Sequence, residues 1–132
     1  MAKILFNITN GTGNPTKASL GFMLARTAVE EGHEVTVFLN ADAVSLMRTP
    51  VLENLVGLGT GKLKEHFDIL KQSRVPIYVS AISCEIRGVT DQDLKDTNSR
   101  KVLPKTLLNL SLEADRTFAV SYTHLRAHET IP

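Results

Sequence analysis

KILFNITNGTGNP, residues 3–15, decides how this chain folds. Lys3 to Thr9 is a short, nearly continuous apolar run, as a strand buried on both faces requires. Asn10 to Pro15 is then a dense cluster of turn residues. In it Asn14 stands where a helix cap belongs, and Pro15 at the first helical position, where its missing N–H costs nothing. The helix so begun carries Ala18, Leu20, Phe22, Leu24, Ala25 and Val29, and Gly32 supplies its stop. Its apolar arc is wide. That suits either a well-covered core helix or one that packs on a sheet with one face and on another subunit with the next. His33 to Leu39 alternates and is rich in β-branched residues, so a second strand follows. Strand, helix and strand in succession make a βαβ unit, a connection that is right-handed almost without exception.

Outward from this unit the alternation continues. Ala41 to Met47 reads as one or two helical turns. Arg48 to Thr60, with Pro50, Gly57 and Gly59, reads as a long irregular connection. Lys62 to Gln72 places Leu63, His66, Phe67 and Leu70 at helical spacing. Val75 to Ser80 is a third strand, with Pro76 near its start where a lost donor is tolerated. Gly88 breaks the chain after Cys84, and Thr90 opens a short capped turn. A short fourth strand is expected near Arg100 to Leu103, then a helix over Pro104 to Glu113 carrying four leucines, and a last short strand over Asp115 to Phe118. The pattern predicts a single-domain α/β fold, a three-layer α/β/α arrangement with a mainly parallel sheet of about five strands.

Composition narrows the function classes. The 132 residues suffice for one shared core, and the 42% apolar content is that of a globular chain. A formal charge of +1 with both signs interspersed, and no Trp, argue against nucleic acid and against an anionic membrane. No apolar run approaches the roughly 20 residues of a membrane helix, and the N-terminal run is too short for a signal peptide. The one cysteine, Cys84, has no internal partner for a disulfide. The chain therefore reads as cytoplasmic.

From Ala119 the character changes to AVSYTHLRAHETIP, which has neither apolar period nor turn logic. Val120 to Thr130 resembles the translation of a transposon-end adapter used in sequencing libraries. We therefore assign the domain to residues 1–118 and read 119–132 as a non-native tail. His124 and His128 mimic a helical metal pair by their i, i+4 spacing, but they belong to this tail. His33 and His66 are far apart in sequence, and His66 is given no role. No metal site is expected.

Two glycine motifs fail on inspection. Gly11-Thr12-Gly13-Asn14-Pro15-Thr16 lacks the third glycine of a dinucleotide fingerprint, and Asn40 stands where an acidic residue would end the second strand. Gly59-Thr60-Gly61-Lys62 has Val56 where a P-loop begins and Leu63 where its magnesium-binding hydroxyl belongs. No cofactor is expected. Cys84 is different, because it follows the third strand and functional groups of open parallel sheets collect at the carboxyl ends of strands. Arg87, three residues on, would favour a thiolate, and a nearby helix N-terminus would favour it further, while Glu85 opposes both. The other reading is that Cys84 is a small buried hydrophobe.

Several segments together resemble the DsrE/DsrF-like family, the sulfur-relay proteins of DsrE and TusD type. They are the loop after the first strand leading into Lys17-Ala18-Ser19, the run Glu31 to Leu39 followed by Ala41-Asp42-Ala43-Val44, the cysteine-bearing segment with Arg87-Gly88-Val89-Thr90, and the ending Leu112 to Phe118. The resemblance implies a three-layer fold and assembly into homo-oligomers (dimers, trimers or hexamers). It also implies a sulfur carrier that accepts sulfur as a persulfide on Cys84, with Arg87 as an electrostatic aid, and passes it between donor and acceptor proteins. Such a sulfurtransferase relay works by thiolate attack on sulfur. The competing expectation is a non-catalytic binding or assembly module. There Asn10, Gly11, Thr12, Gly13 and Lys17, with the adjoining helix N-terminus, hold a small anion or a partner's loop. An enclosed Cys84 favours the module and an exposed one the relay.

Overall fold

Alternation at the chain's start becomes a central strand. In the computed structural model, which describes residues 1–120, β1 (Lys3–Ile8) turns Phe6 and Ile8 to one face and Leu5 to the other, all three almost wholly buried. α1 (Pro15–Glu30) starts as its sequence requires, with Asn14 accepting from the Lys17 amide and Pro15 at the first position. It ends at Gly32, whose φ of 89° is the left-handed conformation that a C′ glycine supplies. β2 (Glu34–Leu39) runs parallel to β1, with Phe6 opposite Val37 and Ile8 opposite Leu39.

A 3₁₀ helix over Ala41–Met47 follows, and then the segment expected to be irregular takes on structure. Thr49-Pro50 begins a short helix, α2 (Thr49–Asn54), because Pro is tolerated there. Next, β3 (Val56–Gly57) and β4 (Gly61–Lys62) form a small antiparallel hairpin. Glycine is required at 57, where a Cβ would run into the Thr60 hydroxyl and crowd Ser19 and Thr16 of α1. This hairpin is pinned to α1: the Ser19 hydroxyl donates to the carbonyls of Thr60 and Gly61, and the Leu58 amide donates to Thr16 Oγ1. His66, on α3 (Leu63–Gln72), places Nε2 2.7 Å from the Thr60 carbonyl and is 7% exposed.

β5 (Ile77–Ser80) begins two residues later than expected, after Pro76, which has no N–H for a ladder. It is followed by α4 (Ala81–Arg87), α5 (Asp91–Leu94) with a short 3₁₀ turn over Lys95–Thr97, and β6 (Arg100–Val102). α6 (Pro104–Glu113) then leads to β7 (Arg116–Val120). The five main strands are all parallel and lie in the order β6-β5-β2-β1-β7. The chain thus adds strands in one direction from β1 to β6, then crosses back with α6 to place β7 on the free side of β1. This is the single-domain α/β fold with a five-stranded parallel sheet that the sequence predicts.

The main core lies on the α1 and α3 side, where Phe6, Ile8, Val37 and Leu39 meet Phe22 and Phe67. α6 crosses the opposite face, with Leu110 beside Leu5 and Thr36. The helix occupies the residues expected of it, and although it carries four leucines none of its residues is buried. Leu108 and Leu112, one turn apart, are 60% and 74% exposed. Ala119 and Val120 pair with Asn7 and Ile8, so β7 runs two residues past the end expected for the last strand. Residues 121–132, with His124 and His128, lie outside the described residues. Among the described residues no helix is long and apolar enough to cross a membrane.

Candidate functional site

The carboxyl ends of β1, β2 and β5 bring together most of the residues singled out from the sequence. Ser80, the last residue of β5, caps α4 by accepting from the Ser83 amide at 3.1 Å. Gly88 closes that helix in the left-handed conformation, with φ 68°. Cys84 therefore sits in the middle of a two-turn helix, four residues beyond the strand rather than on its tip.

Polar contacts bind α4 to the end of β2. The Ala41 amide donates to both Asn40 Oδ1 and Ser83 Oγ, at 3.1 and 3.0 Å, and Ser83 Oγ lies 3.3 Å from Asn40 Oδ1. These bonds hold Ala41 at φ 50°, a left-handed conformation that costs a residue with a Cβ about 1–2 kcal/mol. Arg87 does not turn toward the thiol. Its Nε meets Asp42 Oδ1 at 2.9 Å, across the seam between α4 and the 3₁₀ helix. Gly11 packs on the same residue so closely that a Cβ there would strike the Asp42 carbonyl. Asp42 thus joins the first loop to α4.

This seam closes over Cys84. Its side chain has 0% exposure and belongs to the aliphatic core that includes Val44, Met47 and Val89. Burial pushes the thiol above its ordinary pKa; Lys101 opposes the shift, and Asp91 and Asp93 add to it. The lowering expected from Arg87 and the helix N-terminus is absent, because Arg87 is spent on Asp42 and desolvation dominates. Lys101 was not foreseen. It comes from β6, where its Nζ lies 2.8 Å from Asp91 Oδ1, an ion pair that raises the lysine's own pKa.

The loop after β1 is shaped by its own bonds. The Asn14 amide donates to the Gly11 carbonyl, and Asn14 Oδ1 takes the Lys17 amide, a donor an anion would have needed. Thr12 and Gly13 are exposed, Gly11 is buried, and Lys17 is half-buried. Asn10 Oδ1, and Asn7 Oδ1 on β1, are buried with no hydrogen-bond partner. The Asn10 oxygen is an acceptor, so its unmet demand in the loop is for a donor, the opposite of what a small anion brings. Among the described residues no three His, Cys, Asp or Glu side chains are grouped to hold a metal.

Asn40, Asp42, Ser83 and Lys101 are the parts of the site that sequence reasoning missed. Asn40 was legible only as a missing acid; an amide at a strand end that caps the next turn is the signal that could have found it.

The model of the DsrE/DsrF-like family matches residues 2–120. An uncharacterised protein of Methanocaldococcus jannaschii, MJ0760, is 32% identical over 88 residues, which are 67% of this chain and 32% of that protein. The chain thus spans about a third of the length of the curated relative it matches. Among solved structures, the YchN protein of E. coli superimposes with a TM-score of 0.73 at 21% identity, over 92% of this chain and all of that one. BT1422 of Bacteroides thetaiotaomicron, a conserved protein of unknown function, gives 0.58 at 16% identity, over 89% and 94% of the two chains. Both show the same fold.

Proposed function

Because the chain belongs to the DsrE/DsrF-like family, we propose that it serves as a DsrE-like binding and assembly module in which Cys84 is a structural core thiol. The observation that carries this reading is the complete enclosure of Cys84 by α4 and its aliphatic neighbours. A relay thiol must be reached by a donor's sulfur and must lose its proton, and burial opposes both. Assembly draws support from elsewhere. α6 exposes Leu108 and Leu112, and α4 exposes Ile82 and Ile86 at 50% and 74%, each an i, i+4 pair on one helix face. Large aliphatic pairs of this kind are what a second copy of the chain covers. The mouth beside Asn10 and Gly11 then receives a donor-bearing loop of a partner protein. A cytoplasmic setting fits a lone reduced thiol.

One observation favours the sulfur-carrier reading, namely the positive charge of Lys101 acting on Cys84. In that reading the seam opens, the Cys84 thiolate attacks the outer sulfur of a donor persulfide, and the donor leaves as a thiolate.

A single experiment separates the two. The native protein and its Cys84→Ser variant are incubated with a persulfide donor and weighed by mass spectrometry, beside thiol labelling with and without denaturant. The module reading expects labelling only after denaturation and no added sulfur. One sulfur atom on the native protein, absent from Cys84→Ser, would refute it and establish the relay. Sedimentation of wild type and Leu108→Glu/Leu112→Glu tests assembly: wild type should sediment as an oligomer and the double variant as a monomer.

A further inference from the structure

The opposite end of the sheet carries a second candidate site. An open cleft of about 640 Å³ lies at the amino ends of β5 and β6, within the size range of small-molecule sites. Lys71, Arg74 and Arg100 line it, and no carboxylate does. Lys71 is held in place by a 2.9 Å bond from Nζ to the Asp96 carbonyl. Arg74 and Arg100 have no ion-pair partner among the described residues, whereas Arg26, Arg48, Lys64, Arg87 and Lys101 all do.

Left-handed backbone also borders the same cleft. Among the described residues, three other than glycine have positive φ, and two of them line it: Arg74 at 59° and Asn98 at 58°. Arg74 occupies the C′ position after α3, with its amide on the Lys71 carbonyl and the Val75 amide on the Leu70 carbonyl. That is the Schellman ending, and after α1 the same pattern is filled by Gly32. A guanidinium therefore stands where this chain elsewhere uses glycine, and it stands beside two other cations. Asparagine adopts this conformation readily, so the strain falls on Arg74, and a strained residue that its surroundings hold in place points to function.

We propose that this cleft binds a small organic phosphate. Arginine forks match phosphate oxygens in two-bond geometry, and three cations lining one cleft without a carboxylate leave a field that an anion relieves. The wall of Val75 and Pro76 beside them offers apolar contact to the organic part of the ligand. The volume far exceeds that of a lone phosphate, so the occupant carries more than the anion. This inference concerns neither Cys84 nor the loop after β1, and it stands or falls apart from them.

The test is isothermal titration of the full chain with adenosine diphosphate, glycerol phosphate and inorganic pyrophosphate in phosphate-free buffer. The expected result is saturable one-to-one binding of at least one organic probe. Arg74→Gly and Arg100→Gln, both still folded by circular dichroism, should each weaken it by about tenfold or more, the loss of one charge-assisted hydrogen bond. Amide shifts on binding should centre on residues 71–77 and 97–100. No saturable binding by any organic probe overturns the proposal, as does unchanged affinity in both variants or shifts centred elsewhere.

Discussion

Replacing Arg74 by glycine should stabilise the protein. A residue with a Cβ held at the φ of 59° found here forfeits about 1–2 kcal/mol relative to its ordinary backbone. Glycine removes that strain but gives the unfolded chain more freedom, which takes back about 0.5–1 kcal/mol. The two hydrogen bonds of the helix ending are backbone bonds and survive the change. Losing one of three neighbouring cations adds a small gain at low salt. The net expectation is a gain of about 0.5–1 kcal/mol, roughly 2–6 °C in Tm for a domain of this size. Urea and thermal unfolding of wild type and Arg74→Gly, with binding partners removed, measure it directly. The reverse change at the matching position, Gly32→Ala, should cost about 1 kcal/mol. If Arg74→Gly proves less stable than wild type, the arginine is held there by native contacts, and strain is the wrong account of it.

Three further outcomes follow from the geometry. Because the Cys84 thiol is raised by burial, the folded state keeps its proton where the unfolded chain has lost it, so stability should fall as pH climbs above the ordinary thiol value of about 8.5; Cys84→Ala should lack this alkaline decline in a pH series of urea midpoints. Asp93 is lowered by the Thr90 amide in the capping box of α5, so its contribution is present above about pH 4 and lost as pH falls through the folded value; Thr90→Ala should cost about 1 kcal/mol at neutral pH by the same assay. Ser19→Ala removes a fully buried donor from the Thr60 and Gly61 carbonyls and should cost about 1–2 kcal/mol. Hydrogen exchange should then speed up in the hairpin over residues 56–62 while the β1 and β2 amides stay protected.

Local pattern carried the sheet but not its closures. β1, α1 and β2 were readable because each announces itself within a few residues: the apolar run, the Asn14-Pro15 opening, the Gly32 stop. The hairpin after α2 was not, since what makes it a hairpin is Gly57 pressed on Ser19 and Thr16, nearly forty residues away in the chain. The leucines of α6 signalled a helix but not what lies against it, since a helix stripe looks the same whether its own domain or another surface covers it. At the site, Cys84 was visible as the one thiol, but its neighbours depend on distant pairing. Asp42 takes Arg87 across the seam, and Lys101 arrives only once β6 has docked on β5. Sequence spacing placed Arg87 one turn from Cys84 without saying which way the guanidinium would point.

The crossing from β6 back to β7 sets a condition on how the protein must be made. β1 and β2 emerge early from the ribosome, but one flank of β1 stays bare until residues 116–120 arrive to pair with it. Lys3 and Asp115 then fasten the two ends of the domain, amide to carboxylate at 2.8 Å and carbonyl to amide at 2.8 Å. A nascent or truncated chain that stops short of Arg116 would therefore leave β1 as an open edge of the sheet, a template for aggregation. Pairing of β7 with β1, rather than completion of any helix, is the step that covers this flank of the sheet.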